Sequence, residues 1–321
     1  MRRSRRICKV TDTFRPARRV TLAIGLALVA ALGAQAQQTA PPAASEGPQP
    51  LLWRVRSESA TVYLYGSIHA APPEALPPPM AAREAFARSQ TLVTEVALVP
   101  GLELDIGRTM QARSEMPDGT QLRELFTDDE WGVVRRSLAG SGIPRAELLD
   151  VQPWVVELLI AELMGLPDGF TTESGLDVYF AGKAQARGVE MLGIETVEEQ
   201  IDALAGGSLE EQAASLVATI ERSDDALGID ELYEAWYAGD AETLGRLVRE
   251  HYSPPEFAGT FRRLFTERNE RWVEALIDYL STESAYFIVV GAGHLVGDGS
   301  VIDLLEQAGY PSVRIRTPDD L

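Results

Sequence analysis

A single cysteine, Cys8, and three histidines stand in a chain of 321 residues. One cysteine allows no internal disulfide, and it leaves thiol chemistry a single candidate close to the N-terminus. No G-x-S-x-G elbow occurs, and Ser67, within Gly66-Ser67-Ile68-His69, has no triad context. Positive charge is also scarce, with 29 Lys and Arg against 48 Asp and Glu, a net charge of −19. That deficit makes nucleic acid and anionic membrane surfaces poor partners. Long apolar runs are missing too. The uncharged stretch Val20 to Ala34 covers 15 residues, short of the ~20 that a membrane span needs.

What is present begins with that stretch. Arg2, Arg3, Arg5, Arg6, Lys9, Arg15, Arg18 and Arg19 precede it, and Ala34-Gln35-Ala36 follows with small residues at alternate positions. A basic segment, a short apolar segment and an A-x-A site predict a secretory signal peptide over 1–36, cut after Ala36. The expected product is periplasmic or secreted and has no stable membrane insertion; an uncleaved anchor is the alternative. Cleavage would remove Cys8, eight basic residues and one acidic residue, taking the net charge from −19 to −26. Residues 37–50, rich in Gln, Ala, Pro and Ser, read as a flexible linker. Residues 51–321 are then a single α/β domain whose core must suffice without disulfides, and an apolar content of 45% allows that.

Periodicity predicts a hairpin of Leu51–Val55 and Thr61–Tyr65, a helix after Pro79 and a strand over Thr91–Leu98. The middle of the chain is helical. A capping box at Thr127-Asp128-Asp129-Glu130 opens one helix, and others follow Pro153, Ser174, Ser208, Ile229 and Ala241. A short buried strand is predicted at Val189–Gly193, and one long helix over Glu256–Leu280. The ends of the chain then match. Thr61 to His69 leads by a loop and helix to Thr91–Glu95, and Tyr286 to His294 leads by a loop and helix to Ser312–Arg316. Both read strand, G-x-x-H, helix, strand: a degenerate repeat of one β-α-β unit with a large helical insertion between the copies. Such units place neighbouring parallel strands with their loops at one sheet edge, where ligands of open α/β sheets bind.

The glycines around His294 invite a nucleotide reading. Gly291, Gly293 and Gly297 are spaced rather like a dinucleotide fingerprint, but too little chain follows Arg316 for such a unit, and a lone fingerprint is weak. The repeat favours the histidines. A lone strand-end histidine is more often structural, but two in equivalent loops point to convergence. Gly66 and Gly291, three residues before each, let the chain turn tightly, with Gly293 beside His294. Neutral imidazoles with carboxylates make an open site for zinc, manganese, cobalt or iron. Glu95 closes an apolar strand, where an unpaired charge is costly. Glu195 follows Met191-Leu192-Gly193-Ile194 in the same way; each carboxylate reads as a ligand or as a structural ion pair or cap. His251 fits a helix C-terminus, and Asp298 the N-cap of the last helix.

These residues together resemble the TraB/GumN family, whose members include the Tiki metalloproteases. The resemblance runs from Leu51 to Ile315. It rests on Leu64 to His69, Val93-Thr94-Glu95, Gly175-Leu176-Asp177, Leu192 to Gln200, Glu267-Arg268-Asn269 with Trp272, and Val290 to Leu295 with Gly297, Gly309 and Tyr310. It implies an α/β fold with a central mixed sheet flanked by helices, like the erythromycin-esterase and ChaN proteins. It also implies a metal-dependent hydrolase, peptidase-like, acting on a peptide or small molecule. His69, Glu95 and His294 would hold a divalent ion of Mn, Co, Zn or Fe. Glu195 would be a further ligand or general base, Arg268 an oxyanion donor and Asn269 a support. The alternative is a non-catalytic envelope protein that binds a peptide, haem or polysaccharide intermediate with the same histidines.

Overall fold

The computed structural model describes residues 48–139, 148–222 and 229–321. The expected signal segment, Cys8 and the linker up to residue 47 lie outside them. Within the segment expected as a linker, the Gln49 amide donates to the carbonyl of Tyr237 at 2.7 Å, and Pro50 is buried.

Strands β1 (Leu52–Arg56) and β2 (Thr61–Ser67) form the expected hairpin, with Leu52 opposite Tyr65 and Arg56 opposite Thr61. The Ser57 hydroxyl closes the turn by accepting from the Ala60 amide at 2.9 Å. Next come α1 (Met80–Ala87) and β3 (Thr91–Thr94). Five helices and a strand follow: α2 (Leu102–Ser114), α3 (Asp128–Ser137), α4 (Pro153–Met164), α5 (Leu176–Arg187), β4 (Glu190–Gly193) and α6 (Val197–Ala205). Capping boxes at Thr127, Thr196 and Ser208 start α3, α6 and α7 (Leu209–Glu221) by satisfying amides that each first turn leaves free. The rest is α8 (Ile229–Tyr237), α9 (Ala241–His251), α10 (Ala258–Phe261), α11 (Glu267–Leu280), β5 (Ala285–Gly291), α12 (Val301–Gln307) and β6 (Ser312–Ile315).

The six strands form one mixed sheet in the order β4-β3-β5-β2-β1-β6. β4, β3, β5 and β2 run parallel, while β1 is antiparallel to both β2 and β6. This is the mixed-sheet α/β class expected from the sequence. Aromatic packing holds α5 and α1 to the sheet. Phe180 lies 4.7 Å from Phe287 and 5.6 Å from Tyr65, and Phe86 closes the group at 5.4 Å from Phe180. Truncating Phe180 to Ala would cost about 3–5 kcal/mol. A second apolar cluster ties the helical insertion together, with Met110, Trp131, Trp154, Val155 and Leu216 at its centre.

Several expectations change. The matched units do not fill adjacent places: β5 lies between β2 and β3, and β2 and β1 lie between β5 and β6. The two motifs meet because β2 and β5 pair directly, with Gly66 beside Val290 and Ser67 beside Gly291. β4 is half-exposed, not buried, because it forms the sheet edge. β3 stops at Thr94, whose hydroxyl donates to the Val96 carbonyl at 2.6 Å and turns the chain. The predicted helix over Glu256–Leu280 is broken by a π-helical turn, Arg262–Thr266. Ser300, not Asp298, caps α12. His251 ends α9 but packs between Tyr252 and Phe257, and burial lowers its pKa, so it is a neutral packed ring and not a dipole cation.

Candidate functional site

The carboxyl ends of β2, β5, β3 and β4 align, since Ser67 pairs with Gly291, Val289 with Thr94, and Thr94 with Gly193. His69, His294, Glu95 and Glu195 each follow one of these ends by one to three residues, so the register gathers them at one edge. The ladder runs on past β3 and β4: the Ile194 amide donates to Thr94 and the Glu195 amide to Glu95, at 2.9 and 3.0 Å. Glu95 and Glu195 therefore stand side by side.

Gly66 and Gly291 serve a different purpose from the one expected. Neither adopts a left-handed backbone. A Cβ on Gly66 would lie 3.1 Å from Ala292, and one on Gly291 would lie 3.3 Å from Glu95 Oε1. Glycine here allows close approach rather than a turn. At Gly293 a Cβ would press on the Phe265 ring at 3.1 Å, and that ring covers His294 at 4.9 Å.

The two histidines are held alike but surrounded differently. His69 Nδ1–H donates to Asp177 Oδ2 at 2.9 Å, and its side chain is 64% exposed. The Asp177 carboxylate raises the His69 pKa to about 9. His294 is 5% exposed, and burial lowers its pKa to about 3. Its Nδ1–H donates to Asn269 Oδ1 at 2.7 Å, while Asn269 Nδ2 donates to the Gly299 carbonyl at 2.9 Å and fixes the amide. The remaining nitrogen, Nε2, accepts from Arg268 Nη1 at 3.1 Å. Because guanidinium only donates, this contact sets the tautomer: a neutral imidazole with its proton on Nδ1.

Arg268 is the centre of the cluster. Its Nη2 donates to Glu95 Oε2 and to Glu195 Oε1, both at 2.6 Å, and its Nε to Glu195 Oε2 at 3.0 Å. Trp272 Nε1 donates to the same Glu195 oxygen at 3.0 Å, and the Trp272 ring lies 4.6 Å from the guanidinium carbon. Glu195 is thus fully engaged with its side chain 2% exposed, and burial raises its pKa against the pull of Arg268. Glu95 also accepts from the Gly291 amide at 2.8 Å and from Gln200 at 3.2 Å. Burial would raise the Glu95 pKa, but the Arg268 charge, with His69 and the Gly291 amide, lowers it to about 2.

Two of these partners carry no assigned role in the sequence reading. Asp177 was visible only as part of Gly175-Leu176-Asp177 at a helix start, and Gln200 only as the end of a motif. A Cβ on Gly175 would stand 2.5 Å from the His69 carbonyl oxygen. The glycine lets α5 begin against His69, and the Leu176 amide bonds Ile68 at 3.2 Å.

In kind, the donors suit a divalent cation. Each imidazole is tied through Nδ1 to an oxygen, the outer-shell arrangement that orients metal-binding histidines, and Glu95 adds a carboxylate. In position, they do not form a cage. Among the described residues no group of three or more His, Cys, Asp or Glu is arranged to hold a metal ion. Arg268 stands on two of the three donors.

The order of these residues along the chain, and their convergence, can be set against known proteins. A model of the TraB/PrgY/gumN family matches residues 51–314. The chain belongs to the TraB/PrgY/gumN family. This member is 28% identical over 164 residues to Metalloprotease TIKI1 of Xenopus tropicalis, covering 42% of the chain and 32% of that protein. It is 24% identical over 322 residues to Metalloprotease TIKI2 of the same species, covering 84% of the chain and 60% of that protein. An uncharacterized protein of Treponema pallidum (strain Nichols) is 20% identical over 271 residues, with 80% of each chain covered. The chain therefore spans about a third of one metalloprotease and 60% of the other. No solved structure matches it. No helix among the described residues of this family member is long and apolar enough to cross a membrane.

Proposed function

We propose that the chain is a secreted or periplasmic hydrolase of peptide bonds that depends on a divalent cation at His69, Glu95 and His294. The observation that carries this reading is the paired tethering of His69 to Asp177 and His294 to Asn269, beside a carboxylate and an arginine, at the sheet edge where parallel strands end. The likeness to two proteins named metalloproteases supports the reaction class. The signal sequence expected over 1–36 supports the location.

A bound divalent cation would supply Lewis acidity toward a carbonyl and a more acidic water. The protein's own groups do the rest. Asp177 orients His69 through Nδ1, and Asn269 keeps the proton of buried His294 on Nδ1, so that its Nε2, which now accepts from Arg268, carries the lone pair. Glu195 and Trp272 anchor Arg268 at the site, and the Nη groups that now bond Glu95 and His294 become donors to a developing oxyanion only when those two acceptors release them. Glu195 anchors Arg268 in place of taking a proton, because its oxygens already accept from Arg268 and Trp272.

A peptide-library cleavage assay on purified protein, with and without Mn²⁺, Co²⁺ or Zn²⁺, tests the reading. Cleavage that needs the cation, stops with chelator and disappears in His294→Ala is the expected result. No cleavage with any of the three cations would overturn the hydrolase reading. Haem or another retained ligand would then favour a binding protein.

A further inference from the structure

The contacts that Arg268 makes with two of the three donors are the most specific feature of the site. Resting on the cation reading above, we propose that Arg268 and a divalent cation compete for Glu95 and His294, so that Arg268 sets how tightly the site takes the cation.

The competition follows from lone pairs. With its proton held on Nδ1 by Asn269, His294 has one nitrogen lone pair, on Nε2, and Arg268 Nη1 donates to it at 3.1 Å. A cation needs that same pair. Glu95 Oε2 is likewise taken by Arg268 Nη2 at 2.6 Å. The guanidinium also supplies one of the two positive charges that a divalent cation would bring: it lies between two carboxylates with side chains only 10% and 2% exposed.

Arg268 can yield these contacts without leaving the site. Glu195 grips its Nε and Nη2, and the Trp272 ring lies over it. Nη1 already has a second acceptor, the Leu264 carbonyl at 3.2 Å, inside the π-helical turn Arg262–Thr266. Interruptions of this kind recur at functional sites. Here the turn places a carbonyl where Nη1 can stay when His294 is released. Held by Glu195, Arg268 would stay beside a cation bound at Glu95 and His294.

Calorimetric titration of chelator-stripped protein with Mn²⁺ alone tests the competition in the wild type, Arg268→Gln and His294→Ala. Removing the competitor should tighten Mn²⁺ binding on the order of tenfold or more, and losing the imidazole should abolish it. Equal or weaker affinity in Arg268→Gln, with binding still lost in His294→Ala, would overturn the competition and leave the cation site standing. No Mn²⁺ bound by the wild type or by Arg268→Gln would overturn both. Because Arg268→Gln leaves two buried carboxylates without their arginine, nitrogen-15 NMR of the wild-type arginine side chains during a Zn²⁺ titration provides a second measurement that needs no variant. The Arg268 Nη1 and Nε signals should move together with His294 Nε2. A His294 signal that moves while Arg268 stays fixed would refute the proposal.

Discussion

His69 and His294 share a motif and diverge in environment. His69 is exposed and paired with Asp177, which raises its pKa from 6.5 to about 9. His294 is buried and neutral, with a pKa lowered from 6.5 to about 3. The two therefore bound stability from opposite sides in cation-free protein. The His69 contribution is complete below pH 6.5 and fades as pH rises through about 9, because the folded state holds the proton longer. The His294 contribution is complete above pH 6.5 and fades as pH falls toward about 3, because the unfolded state takes the proton first. Glu95, lowered from 4.5 to about 2, adds to the acid-side loss. Thermal unfolding in chelator should show midpoints falling on both sides of a plateau, and Asp177→Asn should remove the alkaline fall alone. An alkaline fall that survives in Asp177→Asn would separate it from His69. The same substitution should weaken Mn²⁺ binding about 10–100-fold, the usual cost of losing an outer-shell partner.

At the scale of elements, the site depends on close approaches. Gly175 lets α5 start within 2.5 Å, at the Cβ position, of the His69 carbonyl oxygen. Gly175→Ala should push α5 away, cost about 1–3 kcal/mol as an overpacking change, and weaken cation binding as Asp177→Asn does. Unchanged stability by denaturant unfolding would contradict the contact. The strand ends were legible in the sequence because each closes an apolar run with a glycine, an acid or a histidine, and the capping box at Thr127 marked α3. The strand order was not legible. β5 enters between β2 and β3 from almost 200 residues further along the chain, and the local pattern of either unit gives no sign of it. The π-helical turn was equally hidden, since Arg262–Thr266 has the composition of ordinary helix.

At the scale of the molecule, the scarcity of positive charge gives Arg268 added importance. In a chain of net charge −19, two buried carboxylates at the end of the sheet share one arginine. Arg268→Ala should destabilise the cation-free fold by about 3–5 kcal/mol, as denaturant unfolding would show, and Mn²⁺ should restore part of the loss by binding only the folded state. The sequence placed Arg268 on a late helix at the site. It could not show that Glu95, Glu195 and His294 all meet that side chain, because those partners come from three separate strand ends. The central claim, a cation held by His69, Glu95 and His294, is tested most directly by anomalous diffraction at the cobalt edge from crystals grown with Co²⁺. The account predicts one strong peak within bonding distance of those three side chains, with Arg268 withdrawn from His294 Nε2. The absence of a peak there, with Arg268 still bonded to Glu95 and His294, would contradict it.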